Sequence, residues 1–241
     1  MRERVLKIRV EELREKLQGA EERPTEAAEY VLEHAAKGDP ASVLGCLDDF
    51  AVNRGFLMNL GPEKAPLLEE TLRLLGRDLR VLELGCYCGY SAIAMARNLE
   101  GEGRLVSVEK SAISVAAATG IIDHAGVGDR VEILHGESGE ALARLEGEFD
   151  LVFLDHWKGL YRRDLEMIEA RGLLRPGGVV FADNVGPMFG AEEYLDYVRG
   201  CGRYESRNEV STIEYTDIED AVEISTYRGP GKAGVRAEDA E

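Results

Sequence analysis

The stretch from Val81 to Ser91, VLELGCYCGYS, constrains the fold of this chain more than any other. It starts as an apolar run, Val81-Leu82-Glu83-Leu84, and breaks at Gly85. A second glycine follows at Gly89, and a helical pattern begins at Ser91. Strand, tight turn and helix in that order open a nucleotide-binding α/β unit. Glycines in the turn let the backbone approach a ligand at the carboxyl end of the strand. The spacing is G-x-x-x-G. A dinucleotide site asks for G-x-G-x-x-G to wrap a pyrophosphate, so a nicotinamide dehydrogenase is disfavoured. On its own the turn also fits a plain strand–helix connection.

What surrounds the turn narrows the choice. From residue 80 onward, short apolar runs at 80–84, 104–109, 130–135, 150–154 and 178–182 alternate with helical patterns at 90–99, 111–125, 138–146, 160–170 and 190–200. Such alternation predicts a parallel sheet with helices on both faces. The last two runs, 203–210 and 220–227, have no long helix between them and are expected to pair antiparallel at the sheet edge. Ahead of the sheet, helices are predicted over 1–18, 25–37, 41–53 and 63–75, with an apolar loop, Gly55 to Pro62, before the last of these. The expected organisation is one domain over 1–230: an extra N-terminal helix at 1–18, a helical cap region at 19–76 and the α/β core at 80–228. Residues 231–241 form a flexible tail.

Bulk properties exclude several partners. The 241 residues carry 46 acidic and 29 basic side chains, a formal charge of -17. That excess repels phosphate backbones and argues against nucleic acid. No apolar run approaches the roughly 20 residues that span a bilayer, and the N-terminus lacks the apolar core of a signal peptide. The expectation is a cytoplasmic protein without a membrane partner, a monomer or weak homodimer. Cys86 and Cys88, one residue apart, suit neither a zinc knuckle nor a disulfide clip.

Four further stretches carry chemistry. Glu109 ends the second run and is placed to accept two hydrogen bonds from a ribose diol. The small residues of His135-Gly136-Glu137-Ser138-Gly139 leave room for a flat base. Asp155-His156-Trp157-Lys158 follows the run LVFL, where strand ends face the ligand crevice. Trp157, the single tryptophan, suits packing on an adenine or an aromatic substrate, or in the core. Asp183-Asn184 ends the neighbouring run. Asp155, Asp183 and Asn184 together offer three hard oxygen ligands, which suit Mg²⁺.

Taken in order, VLELGCYCGYSA at 81–92, VFLDHWK at 152–158, GLLRPGG at 172–178, ADNV at 182–185 and EY at 214–215 resemble the catechol O-methyltransferase family, over roughly Asp39 to Pro230. The resemblance implies a Rossmann-like class I methyltransferase fold. Its seven-stranded, mostly parallel sheet has the order 3-2-1-4-5-7-6, helices on both faces and an antiparallel C-terminal strand. It implies S-adenosylmethionine and Mg²⁺ as cofactors and a small catechol as substrate. Asp155, Asp183 and Asn184 match the metal ligands, Lys158 the general base, and Glu214 the carboxylate that holds the second catechol hydroxyl. Met58, Leu60, Glu83, Gly85, Tyr87, Ser91, Glu109, Gly136, Ser138, Gly139, Asp155, His156 and Trp157 fall at cofactor positions. Phe56, Met58, Trp157, Lys158, Asn184, Pro187, Ile213 and Glu214 fall at substrate positions. Phe56 stands where mammalian members carry a tryptophan, Gly139 where a glutamine would contact the adenine, and the loop 185–190 is shorter.

The reaction this implies is in-line transfer of a methyl group from the sulfonium to one hydroxyl of a Mg²⁺-chelated catechol. Lys158 accepts a proton only when neutral; a nearby dication and burial favour that form, and Asp155 and Asp183 oppose it. Two alternatives stand beside this reading. One is a caffeoyl-CoA-type metal-dependent O-methyltransferase. The other is a non-catalytic binding protein on the same scaffold with residues 1–18 as a docking helix.

Overall fold

A computed structural model describes residue 15, residues 18–20 and residues 22–230. The helix expected over 1–18 and the tail at 231–241 lie essentially outside the described residues. Among the described residues from 22 onward, three helices precede the sheet: α1 (Arg23–His34), α2 (Pro40–Asn53) and α3 (Gly61–Leu75). Each carries a proline in its first turn, where the missing N–H costs nothing. Asp39 caps α2 by accepting from the backbone N–H groups of Ala41 and Ser42.

Strands and helices then alternate: β1 (Arg80–Leu84), α4 (Tyr90–Ala96), β2 (Arg104–Glu109), α5 (Ala112–Ala125), β3 (Val131–His135), α6 (Ser138–Leu142), β4 (Phe149–Leu154), α7 (Tyr161–Ala170), β5 (Leu174–Ala182) and α8 (Glu192–Gly200). A hairpin of β6 (Tyr204–Thr212) and β7 (Glu219–Tyr227) closes the chain. The sheet has seven strands in the order β3-β2-β1-β4-β5-β7-β6, as the resemblance implied. β7 is antiparallel to both neighbours and the other six strands share one direction.

Alternation along the strands fills two layers. Val81, Leu105, Leu151, Phe153 and Val179 pack on one face against α1 to α5. Leu82, Val106, Val152 and Val180 pack on the other against α6, α7 and α8. Some expected elements differ in length. α4 stops at Ala96 and α6 at Leu142. β5 begins four residues earlier than the apolar run, because Leu174 already pairs with Phe149 across a register shift. The apolar loop 55–61 is buried at Phe56, Leu57 and Leu60. Gly61 holds φ +76°, and a Cβ there would come 2.9 Å from the Glu214 Cβ. That close approach sets the start of α3 against the β6–β7 connection.

Candidate active site

The carboxyl ends of β1, β2, β3, β4 and β5 open on one cavity of about 1220 Å³. The turn after β1 is built by left-handed backbone at Gly85 (φ +101°), Tyr87 (φ +48°) and Gly89 (φ +81°). Gly85 has a second job. A Cβ there would lie 2.5 Å from the Asp155 carbonyl oxygen, so only glycine lets the β4 tip close on the turn. Glu109 is held by the same turn. One carboxylate oxygen accepts from the N–H groups of Cys86 (3.2 Å) and Tyr87 (3.0 Å), the other from Ser111 (2.7 Å). Glu109 lines the cavity. Cys86 and Cys88 are buried and pack the turn into the core.

Met58, Leu60, Gly85, Tyr87, Ser91, Glu109, Gly136, Ser138, Asp155, His156 and Trp157 all line the cavity, as do Phe56, Lys158, Asn184, Ile213 and Glu214. Four expected residues do not. Glu83 is fully buried beneath the turn. There it accepts from Ser91 Oγ (2.5 Å) and Ser107 Oγ and ties β1 to α4 and β2, so it braces the site without contacting it. Burial pushes its carboxyl up to about 7, against the two serine hydrogen bonds. Gly139 lies behind the wall: an added Cβ would meet the Arg163 guanidinium at 3.5 Å, and Arg163 also donates to Ser138 Oγ. Pro187 points to solvent. The turn from Gly186 to Phe189 puts it at the outer corner and folds Met188 and Phe189 back onto Phe56, Ile213 and Ile218. Met188 and Phe189 line the cavity where Pro187 does not. Asp183 sits below the wall, fully buried.

His156 is oriented from behind. Its Nε2 is 2.7 Å from the buried Asp164, which as a carboxylate can only accept, so the proton is on Nε2. Burial lowers the pKa of the imidazole. Its Nδ1 is then a buried acceptor without a partner, as is Oδ1 of Asn59, which lines the same cavity. Trp157 is 74% exposed at the cavity rim, which rules out core packing.

Behind the part of the wall formed by Asp155, Lys158, Asn184 and Glu214 lies an acid cluster. Lys158 Nζ donates to Asp155 Oδ1 (3.1 Å) and Tyr161 Oη (2.9 Å). Tyr161 Oη lies 2.7 Å from the Leu154 carbonyl and 3.0 Å from that of Asp183, bridging the β4 and β5 tips. Lys64, in the first turn of α3, is completely buried. Its Nζ donates to both Asp183 oxygens (2.7 and 2.9 Å) and to Asp220 (2.9 Å), and lies 3.6 Å from Glu214. A cation in the first turn opposes the helix dipole. Burial lowers the pKa of this ammonium, and the three carboxylates more than reverse that.

Four carboxylates thus face two ammonium groups. Fully ionised, the cluster has two negative charges in excess. Burial pushes Asp155 up to about 6 and Glu214 up to about 8, and raises Asp183. Glu214 Oε2 has no hydrogen-bond partner. Among the described residues no group of three or more His, Cys, Asp or Glu is arranged to hold a metal. Asp155, Asp183 and Asn184 are a different set, two carboxylates and an amide on adjacent strand tips. Their hard oxygens and the uncompensated charge fit a divalent cation.

Sequence reasoning missed Lys64 and Asp220. Lys64 shares a buried helix stripe with Leu68 and Leu72, and Asp220 shares a buried strand face with Val222 and Ile224. A charge on an apolar stripe was the available signal.

An open α/β sheet with a glycine turn and acids at its strand tips is the layout of a Rossmann-like methyltransferase. The sequence profile of the O-methyltransferase family matches residues 36–190. The catechol O-methyltransferase of Mus musculus is 39% identical over 213 residues, 86% of this chain and 80% of that protein. A transmembrane O-methyltransferase homolog of Mus musculus is 39% identical over 85% of this chain and 81% of its own length. Among solved structures, the O-methyltransferase TomG of Streptomyces achromogenes, in complex with S-adenosylmethionine, superposes with a TM-score of 0.65 at 26% identity, covering 78% of this chain and 90% of that one. This chain belongs to the O-methyltransferase family and is similar to its catechol O-methyltransferases. No helix among the described residues is long and apolar enough to cross a membrane.

Proposed function

We propose that this chain transfers a methyl group from S-adenosylmethionine to one hydroxyl of a catechol, with Asp155, Asp183 and Asn184 holding Mg²⁺. The observation that carries the reading is the join between the two halves of the cavity. The Gly85 turn and the charge-excess cluster touch at the Asp155 backbone. A donor on the turn and an acceptor at the cluster therefore share one chamber.

On the turn side, Glu109 accepts from a ribose diol while its own position is fixed by backbone amides. His156 Nδ1 and Asn59 Oδ1 are the unfilled acceptors for the polar groups of the cofactor, and Trp157 covers the rim. On the acceptor side, Mg²⁺ when bound supplies the positive charge that stabilises a developing phenolate. Lys158, once its own ammonium proton has been released, takes the phenolic proton at Nζ, and Asp155 and Tyr161 hold it in place. Glu214 Oε2 accepts from the hydroxyl that is not methylated and so fixes which oxygen faces the donor. Phe56, Met188, Phe189 and Ile213 make an apolar wall that excludes water and fits a flat ring. Holding the two reactants in line contributes up to roughly 7–11 kcal/mol in favourable cases.

A mass-spectrometric methylation assay on several catechols, with Mg²⁺ or with EDTA, tests the reading. Methylation of free catechols that disappears with EDTA is expected. Methylation that persists at the same rate in EDTA removes the metal role. Turnover of a caffeoyl-CoA-type thioester but of no free catechol would reassign the acceptor.

A further inference from the structure

Asp220 lies outside every motif, yet it organises the acceptor side. Its carboxylate is fully buried and takes three hydrogen bonds. Oδ2 accepts from Lys64 Nζ (2.9 Å) and Asn184 Nδ2 (2.9 Å), and Oδ1 accepts from the Gly186 backbone N–H (3.1 Å). The contact is close by design of the chain: a Cβ on Gly186 would sit 2.7 Å from the Asp220 Cα. The backbone of Asn184 is fixed as well, with φ +52° and its N–H donated to Asp183 Oδ1 (2.7 Å).

An amide is an ambiguous ligand. One end is an oxygen that attracts a cation and the other an NH₂ that repels it. A carboxylate can only accept, so Asp220 decides which end it faces. With Nδ2 drawn to Asp220, Oδ1 is the end left to the cavity that Asn184 lines. Lys64 links Asp220 to Asp183, so two of the three proposed ligands are set by one buried unit.

We propose that Asp220 is a positioning residue that locks the Asn184 amide with its oxygen toward the cavity, and thereby sets divalent-cation affinity without touching cation or substrate. The inference rests on the Asp155–Asp183–Asn184 reading above.

The test is a calorimetric titration of Mg²⁺ into the full chain saturated with S-adenosylhomocysteine. Asp220→Leu removes both acceptor oxygens, so the Asn184 amide loses the partner that holds its Nδ2 and is free to turn over. Mg²⁺ affinity is expected to fall by about 10–100-fold, as for other groups that orient metal ligands, with S-adenosylhomocysteine affinity unchanged. The double variant Asp220→Leu with Asn184→Asp keeps the net charge and dispenses with the orienting hydrogen bond. A carboxylate at 184 has no wrong end, so Mg²⁺ affinity is expected to return to near the wild-type value. Unchanged affinity in the single variant overturns the inference, and so does a double variant as weak as the single. Should the single variant not fold, the double variant against wild type decides by the same criterion. Absence of saturable Mg²⁺ binding by the wild-type chain overturns the metal-site reading along with this one. Normal wild-type binding that Asp220→Leu leaves untouched overturns this one alone.

Discussion

Glu109 and Asp183 are both carboxylates at strand tips, and their surroundings satisfy them in opposite ways. Glu109 is bound by backbone amides of the neighbouring turn and of its own loop. Asp183 is bound by a buried ammonium 119 residues away. The first arrangement is neutral donors around one charge, and it is complete without further ions. The second is a cluster of like charges with too few cations. A half-site made of backbone groups is ready to bind as soon as the turn folds. A half-site made of distant charges depends on the whole fold and leaves charge to be neutralised from outside.

That contrast can be attacked from several directions. Asp183→Ala removes a proposed metal ligand and strips Lys64 of its closest partner. Catechol methylation, followed as kcat/KM, is expected to drop by several kcal/mol, on the order of 10⁴-fold. A variant as active as wild type would mean the acid cluster is structural.

Lys158→Ala is expected to lower kcat by about 10²–10³-fold, the range of a lost general base, with cofactor affinity intact. Loss of cofactor binding with kcat preserved would place Lys158 on the wrong side of the comparison.

Glu83 offers a stability test on the turn side. Its folded carboxyl is pushed up to about 7 from an ordinary 4.5, so between those values the folded state holds a proton that the unfolded chain has released. Stability is therefore fully present below about 4.5 and declines as pH rises to about 7. The size is about 3 kcal/mol for such a shift. In Glu83→Gln that decline is expected to vanish from the pH profile of chemical denaturation. An identical profile in both proteins would show that Glu83 does not titrate in this range.

Much of the turn side was legible in the sequence because its causes are local. The runs at 80–84 and 104–109 coincide with β1 and β2, and Gly85, Gly89 and Glu109 act within their own strand-turn-helix units. Short-range order also explains the misplaced helix end. The Asn98 side chain turns back to the Ala94 carbonyl and Leu99 is buried, so a helical pattern outlasts the helix. The acceptor side was legible only in its anchors. Asp155, Asp183 and Asn184 stood out as acids and amides at strand tips. Lys64 and Asp220 take their meaning from contacts across more than 100 residues, which no local pattern carries. Pro187 lies off the cavity for a similarly long-range reason. The path of its loop is set by the hydrogen bond from Gly186 to Asp220, and that bond points Met188 and Phe189, not the proline, inward.

The independence of the two halves can be measured directly by titrating S-adenosylhomocysteine into wild type, Asp183→Ala and Glu109→Ala, each with Mg²⁺ and with EDTA. Affinity in wild type and Asp183→Ala should be the same with and without metal. Glu109→Ala should weaken it by about tenfold, roughly 1.4 kcal/mol, the scale of a hydrogen-bonded charge. Cofactor affinity that collapses in EDTA or in Asp183→Ala, while Glu109→Ala binds normally, would contradict the division of the site into a self-sufficient turn and a cation-deficient acid cluster.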